Sequence, residues 1–152
     1  MIRIGKMTDY GTLIMTYLAR DPEMLHAAHE IAQAVGVSLP TANKVLKTLA
    51  RAGLLESHRG TKGGYVLSRT PEEITMADII GALEGPVGLT DCGTVQQPGN
   101  CLRQPSCSVK TNWQRISKAV NDALASVTLA ELTVPTHPVH ITRHPVQPMV
   151  QS

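Results

Sequence analysis

Apolar residues recur at three- and four-residue steps in five stretches of this chain. The most complete lies between Gly36 and Gly53 (GVSLPTANKVLKTLARAG) and predicts one helix. Leu39, Ala42, Val45, Leu46, Leu49 and Ala50 make its apolar face, which leaves Thr41, Asn43, Lys44, Lys47 and Arg51 on the outward side. Ser38 is placed to cap it. Pro40 falls in the first turn, where a missing N–H costs nothing, and Gly53 can supply the left-handed residue that ends it. The outward face is polar and basic and holds no acid.

A second apolar-periodic run, His29 to Val35, precedes it, with Gly36, Val37 and Ser38 as a tight connection. Two short helices joined by a glycine-containing turn form a helix-turn-helix, whose second helix enters the DNA major groove. An ordinary helical hairpin with a solvated basic face would show the same pattern. The next residues separate the two. Leu54 to Ser57 and Tyr65 to Leu67 are strand-like runs around the tip Arg59-Gly60-Thr61-Lys62-Gly63-Gly64, and His58, Arg59 and Lys62 lie on or beside that tip. A hairpin alone is a surface turn with incidental charge. After a helix-turn-helix it is a wing, whose glycines allow close approach to another backbone and whose cations reach phosphates or a narrow minor groove.

Thr8 or Asp9 is placed to cap a first helix that carries the apolar run Tyr10 to Leu18 and ends before Asp21-Pro22. Plain capping is the first reading of Asp9. His26 and His29 open the helix before the turn and read as solvated first-turn residues rather than ligands. Beyond the wing, Thr75 caps a packing helix, MADIIGALEG, with Met76, Ile79, Ile80 and Leu83 inward and Gly85 as its stop.

The pattern then lapses. Residues 85–108 carry Gly and Pro at intervals and all three cysteines, Cys92, Cys101 and Cys107. A segment this long without periodicity is uncommon in a compact domain unless something ties it down. Three thiolates on it can converge on one soft metal centre, zinc or an iron-sulfur cluster. The spacing is not that of a zinc ribbon, and the set is one thiolate short of four. A thiol pair acting as a redox switch and three incidental cysteines are the other readings. Periodicity resumes from Val109 to Leu132, where Trp113, Ile116, Val120, Leu124 and Val127 form a narrow seam. So small a monomer has no surface left for that seam to cover, and pairing with the same helix of a second subunit is its natural use. Residues 133–152, with four Pro and with His137, His140 and His144 irregularly spaced, read as a disordered tail.

Charge sharpens this division. Residues 1–70 hold 9 Lys and Arg against 5 Asp and Glu, and residues 71–152 hold 5 against 7, so the basic excess sits with the predicted winged helix. No apolar run is long enough to span a membrane, and the N-terminus lacks the order of a signal peptide, so the expected location is the cytoplasm. No nucleophile with a paired base and no phosphate-binding glycine loop before a helix points to an enzyme.

The succession TDYG, LARAGLLES, RGTKGGYVL, ITMADIIGALEG, three cysteines and NWQRISKAVNDALASVTLAEL resembles the iron-sulfur cluster regulators that include IscR, NsrR and the SUF-operon regulators, from about Met1 to Leu132. The resemblance implies a fold that is mainly α with a small β-hairpin wing: a winged helix-turn-helix over 1–85, a cluster-binding loop over 86–108, a long dimerisation helix over 109–132 and a tail over 133–152. It implies a homodimer that binds a palindromic operator in double-stranded DNA and senses cluster status, with SUF-type assembly genes as targets. Asn43 lies where a base-reading side chain is expected and Arg59 where the wing meets the minor groove, with Ser38, Thr41, Lys44, Lys47 and Lys62 completing the DNA surface. Two departures stand out. The first cysteine gap exceeds the family's usual five, and Lys110 stands where the IscR type has a histidine ligand. In the NsrR type an Asp from the partner's first helix completes the cluster, and Asp9 matches it. The ligand set implied is therefore Cys92, Cys101, Cys107 and Asp9, around a 2Fe-2S rather than a 4Fe-4S cluster. The alternatives are a winged-helix regulator with a thiol-disulfide switch or zinc, and an iron-sulfur carrier, which would have no need of a basic wing.

Overall fold

The computed structural model describes residues 3–90 and 107–134. In chain order they form α1 (Lys6–Leu18), α2 (Ala28–Val35), α3 (Leu39–Arg51), β1 (Leu55–His58), β2 (Gly64–Leu67), α4 (Met76–Glu84), α5 (Lys110–Ala125) and α6 (Leu129–Thr133). The chain is mostly helical with one two-stranded antiparallel hairpin, as expected for a winged helix.

The local signals for α3 act as expected. Ser38 Oγ accepts from the Thr41 N–H at 3.4 Å, Pro40 lies in the first turn, and Gly53 takes φ +78° just past the end. Gly36 turns the chain out of α2 at φ +71°. Thr75 and Asp78 form a reciprocal capping box on α4, where each side chain accepts the other's backbone N–H.

The start of α1 differs from expectation. The helix begins at Lys6 with Gly5 as its cap residue, so neither Thr8 nor Asp9 caps it. The capping acceptor comes from the far end of α4 instead. Glu84 Oε1 accepts from the Gly5 N–H at 2.8 Å and from the Thr8 hydroxyl at 2.5 Å, and Thr8 is fully buried. Gly11 faces the same helix so closely that a Cβ there would strike the Leu83 side chain. The seam between α1 and α4 is therefore close-packed along its length.

The core gathers Ile14, Met15 and Leu18 of α1, Ile31 of α2, Val45, Leu46 and Leu49 of α3, Ile74 and Ile79 around α4, and Leu129 of α6. The wing is tied to it by a further bridge. His26 and Tyr65 exchange both backbone hydrogen bonds, at 3.0 and 2.8 Å, which adds one residue of a third strand beside β2. His26 is consequently buried, and its ring meets Tyr17 edge to face at 5.2 Å, so it is neither helical nor solvated as the sequence pattern predicted. Gly64 is explained by the same bridge, because a Cβ there would collide with the His26 carbonyl.

The predicted C-terminal helix over 109–132 is two helices. Ser126 to Thr128 break it, and Thr75 and Thr128 form a bridge flanked by bonds from Met76 N–H to Val127 O and from Leu129 N–H to Ile74 O. Thr128 then caps α6 by accepting from the Glu131 N–H, and Glu131 returns a carboxylate to the Thr128 N–H at 2.7 Å. Those bonds hold the Glu131 carboxyl below its usual pKa. The break lets Leu129 reach the core, where it is fully buried.

Candidate nucleic-acid interface and cysteine segment

The residues expected to meet DNA fall on two adjoining pieces, α3 and the turn of the wing, which are held together by the packing of β1 on α3 and by the register Leu55 opposite Leu67 through His58 opposite Gly64. Lys44, Lys47, Arg59 and Lys62 are exposed, and Asn43 is half-buried. None of these five side chains has a hydrogen-bond or ion-pair partner among the described residues. They are donors held out to solvent. Arg51 differs, since its Nε bonds the Lys47 carbonyl at 3.3 Å.

Ser38 and Thr41 answer to another description. Their hydroxyls bond each other at 2.8 Å while Ser38 also caps the helix, so their first role is to set the start of α3. One side chain that the sequence pattern assigned to the core does not go there. Leu39 is 43% exposed, because steps of four residues put it in one row with Asn43 and Lys47. That row was visible in the spacing, but its residue type argued for burial.

Of the predicted ligands, Cys92 and Cys101 lie outside the described residues, as do His137, His140 and His144. Cys107 is a half-buried free thiol whose carbonyl accepts the Lys110 N–H at the start of α5. Asp9 is exposed in the first turn of α1, and its carboxylate has no partner among the described residues. No group of three or more His, Cys, Asp or Glu that could hold a metal is assembled among the described residues. The donor set itself, three thiols and a carboxylate, suits a soft centre such as an iron-sulfur cluster or zinc.

On α5 the outward seam is apolar. Trp113 is 37% and Ile116 44% exposed, while the fully buried residue of this helix is Ser117, whose Oγ accepts the Leu89 N–H at 3.2 Å. No helix among the described residues is long and apolar enough to cross a membrane.

A helix-turn-helix followed by a basic wing and a cysteine segment matches a known family model over residues 4–135, described as Rrf2, iron-dependent transcriptional regulator. The chain belongs to the Rrf2 family. It is 35% identical over 132 residues to the HTH-type transcriptional regulator CymR of Bacillus subtilis, a match that covers 86% of this chain and 89% of CymR. The solved structure of that protein, the global cysteine regulator, superposes with a TM-score of 0.67 at 34% identity, covering 88% of this chain and 97% of the other. CymR of Staphylococcus aureus in its oxidized form gives a TM-score of 0.64 at 30% identity, covering 90% and 99%. IscR of T. potens gives 0.63 at 28% identity, covering 86% and 85%. The Rrf2 relatives are DNA-binding transcriptional regulators rather than enzymes, and so is this chain's family role.

Proposed function

We propose that this Rrf2 regulator works in the cytoplasm as a homodimer that reads a palindromic operator, and that an iron-sulfur cluster sets its affinity for that operator. The observation that carries the DNA half is the run of unpartnered donors, Asn43, Lys44 and Lys47 on α3 and Arg59 and Lys62 on the wing. Unpaired Lys and Arg on one continuous unit position phosphates, and an amide such as that of Asn43 can bond an adenine edge with both of its atoms. The exposed apolar seam of α5 supports the dimer, since a second copy of the same helix would cover Trp113 and Ile116.

Cys92, Cys101 and Cys107, with Asp9 of the second subunit, are the residues that would hold the cluster, 2Fe-2S in preference to 4Fe-4S, and SUF-type assembly genes are the proposed targets. A bound cluster supplies a redox-sensitive, oxygen-labile anchor for the segment between α4 and α5. Asp9 suits the role because its carboxylate is exposed and unpartnered among the described residues. Glu84, the last residue of α4, already holds the start of its own chain's α1, so order imposed on the following segment would act close to the helix whose Asp9 is proposed to serve the other subunit's cluster.

Anaerobic purification followed by an absorption spectrum, iron and sulfide analysis, and operator binding by loaded and stripped protein tests the proposal. The expected result is a stoichiometric cluster and affinities that differ by more than about 1 kcal/mol. Changing any one of the three cysteines locks the apo behaviour, and Asp9→Ala leaves a cluster that forms but is labile. Equal affinity of loaded and stripped protein at every site ends the sensor reading. A second reading has its own support. The likeness to CymR, solved in an oxidized form in one relative, and the free Cys107 thiol favour a thiol-disulfide switch. Protein free of iron and zinc, with operator affinity that follows oxidation of two of the thiols, would select it.

A further inference from the structure

We propose that Leu39, with Pro40 beside it, is an apolar base reader that packs on the C5 methyl of a thymine in the major groove. The inference rests on the DNA-reading role of α3 proposed above and names a specificity contact within it. Leu39 is the first residue of α3, and in a helix-turn-helix the N-terminal residues of the second helix are the ones that meet base edges.

Its neighbours narrow what it can meet. The hydroxyls of Ser38 and Thr41 are committed to each other and to the cap, so the first turn presents Leu39 and Pro40, both exposed, as its free surface. Pro40 has no N–H to offer. Asn43 and Lys47 continue the row from Leu39, Lys44 stands beside it, and α3 holds no acidic residue. An apolar spot bordered by unpartnered cations is complementary to a polyanion that carries an apolar group. Duplex DNA presents one such group in its major groove, the thymine methyl. The row then reads in order as methyl, base edge and phosphate.

The measurement uses the full-length protein and the operator selected from random duplexes, with each thymine replaced in turn by deoxyuridine, which removes only the methyl. For the unaltered protein, one thymine position per half-site should lose roughly fourfold in affinity for each methyl removed. Leu39→Ala should bind the thymine and uracil duplexes equally, with an unchanged thermal midpoint because the side chain lies outside the core. If every uracil duplex binds the unaltered protein as tightly as its thymine parent, or if Leu39→Ala keeps the full penalty, the methyl contact is overturned and the groove assignment of α3 stands. A selected half-site without thymine also overturns it. Failure of the unaltered protein to select any sequence overturns both.

Discussion

Helices α3 and α5 carry similar apolar rows and use them in opposite ways. In α3, Ala42, Val45, Leu46 and Leu49 are completely buried, and the exposed side is basic. In α5 the completely enclosed position belongs to a serine, while Trp113 and Ile116 face outward. One helix is finished within its own chain. The other leaves part of its apolar row exposed. Both pack on α4, so the difference arises from what remains outside each contact rather than from a missing support.

The largest effect should come from breaking the unfinished surface. Ile116→Asp puts a charge where a second subunit is proposed to sit, and burial of an unpaired carboxylate costs more than the contact returns. The expected outcome is a folded monomer by sedimentation, with operator binding reduced toward the non-specific level, a gap of about 10³–10⁷-fold for specific binders. A dimer of undiminished affinity would mean that α5 is not the paired surface and would remove the contrast with α3.

Leu46→Ala tests the finished helix. Its side chain is fully enclosed, so the substitution should cost about 2–5 kcal/mol in denaturant unfolding. The surviving native protein should keep the oligomeric state of the parent. A loss of dimer before any loss of folding would show that α3 is not complete within one chain.

How much of this could be read from the residues follows from where each signal lives. The cap, the turn glycines and the apolar face of α3 are local, and so was the whole helix-turn-helix, with the wing lying within one residue of its predicted bounds. Contacts between distant residues were not legible. His26 looked like a helical surface residue because nothing near it in the chain reveals that Tyr65 will pair with its backbone. Thr8 and Asp9 looked like caps because the true acceptor, Glu84, is supplied by another helix. The seam over 109–132 kept its period through the break at Thr128, since Leu129 is apolar whether it continues the helix or turns into the core. Leu39 departs from the pattern for a simpler reason. Residue type argued for the interior, and direction along the row put it outside. Among the proposed site residues, the donors of α3 and the wing are legible as charge on one face, whereas the ligand role proposed for Asp9 has no local pattern, because it would be shared with a second subunit.

Glu84→Ala probes the element that both helices share. Removing the carboxylate strips the acceptor from the Gly5 N–H and from the buried Thr8 hydroxyl, which should cost about 1–3 kcal/mol. Hydrogen exchange should then rise in the first turn of α1 and leave α3 protected. Equal loosening of α3 would show that α4 does not separate the two sides, and the contrast would have to be redrawn around one cooperative unit.

The smallest effect tests whether charge contributes to α5 as it does to the outward face of α3. Lys118 and Asp122 pair at 2.5 Å across one turn, yet their side chains are 68% and 58% exposed. Solvent screens such a pair, and the order along the helix, cation before anion, is the weaker of the two. Lys118→Ala should therefore change unfolding stability by no more than about 0.5 kcal/mol and leave the sedimenting species unchanged. On α3 the corresponding cations have no acid to pair with, so Lys47→Ala should be equally silent in stability but should weaken operator binding and reduce its salt slope by about one. A dimer that dissociates in Lys118→Ala would show that ionic contacts, not the apolar seam, hold the second subunit. The two helices would then differ in the partner they meet and not in the force that holds it.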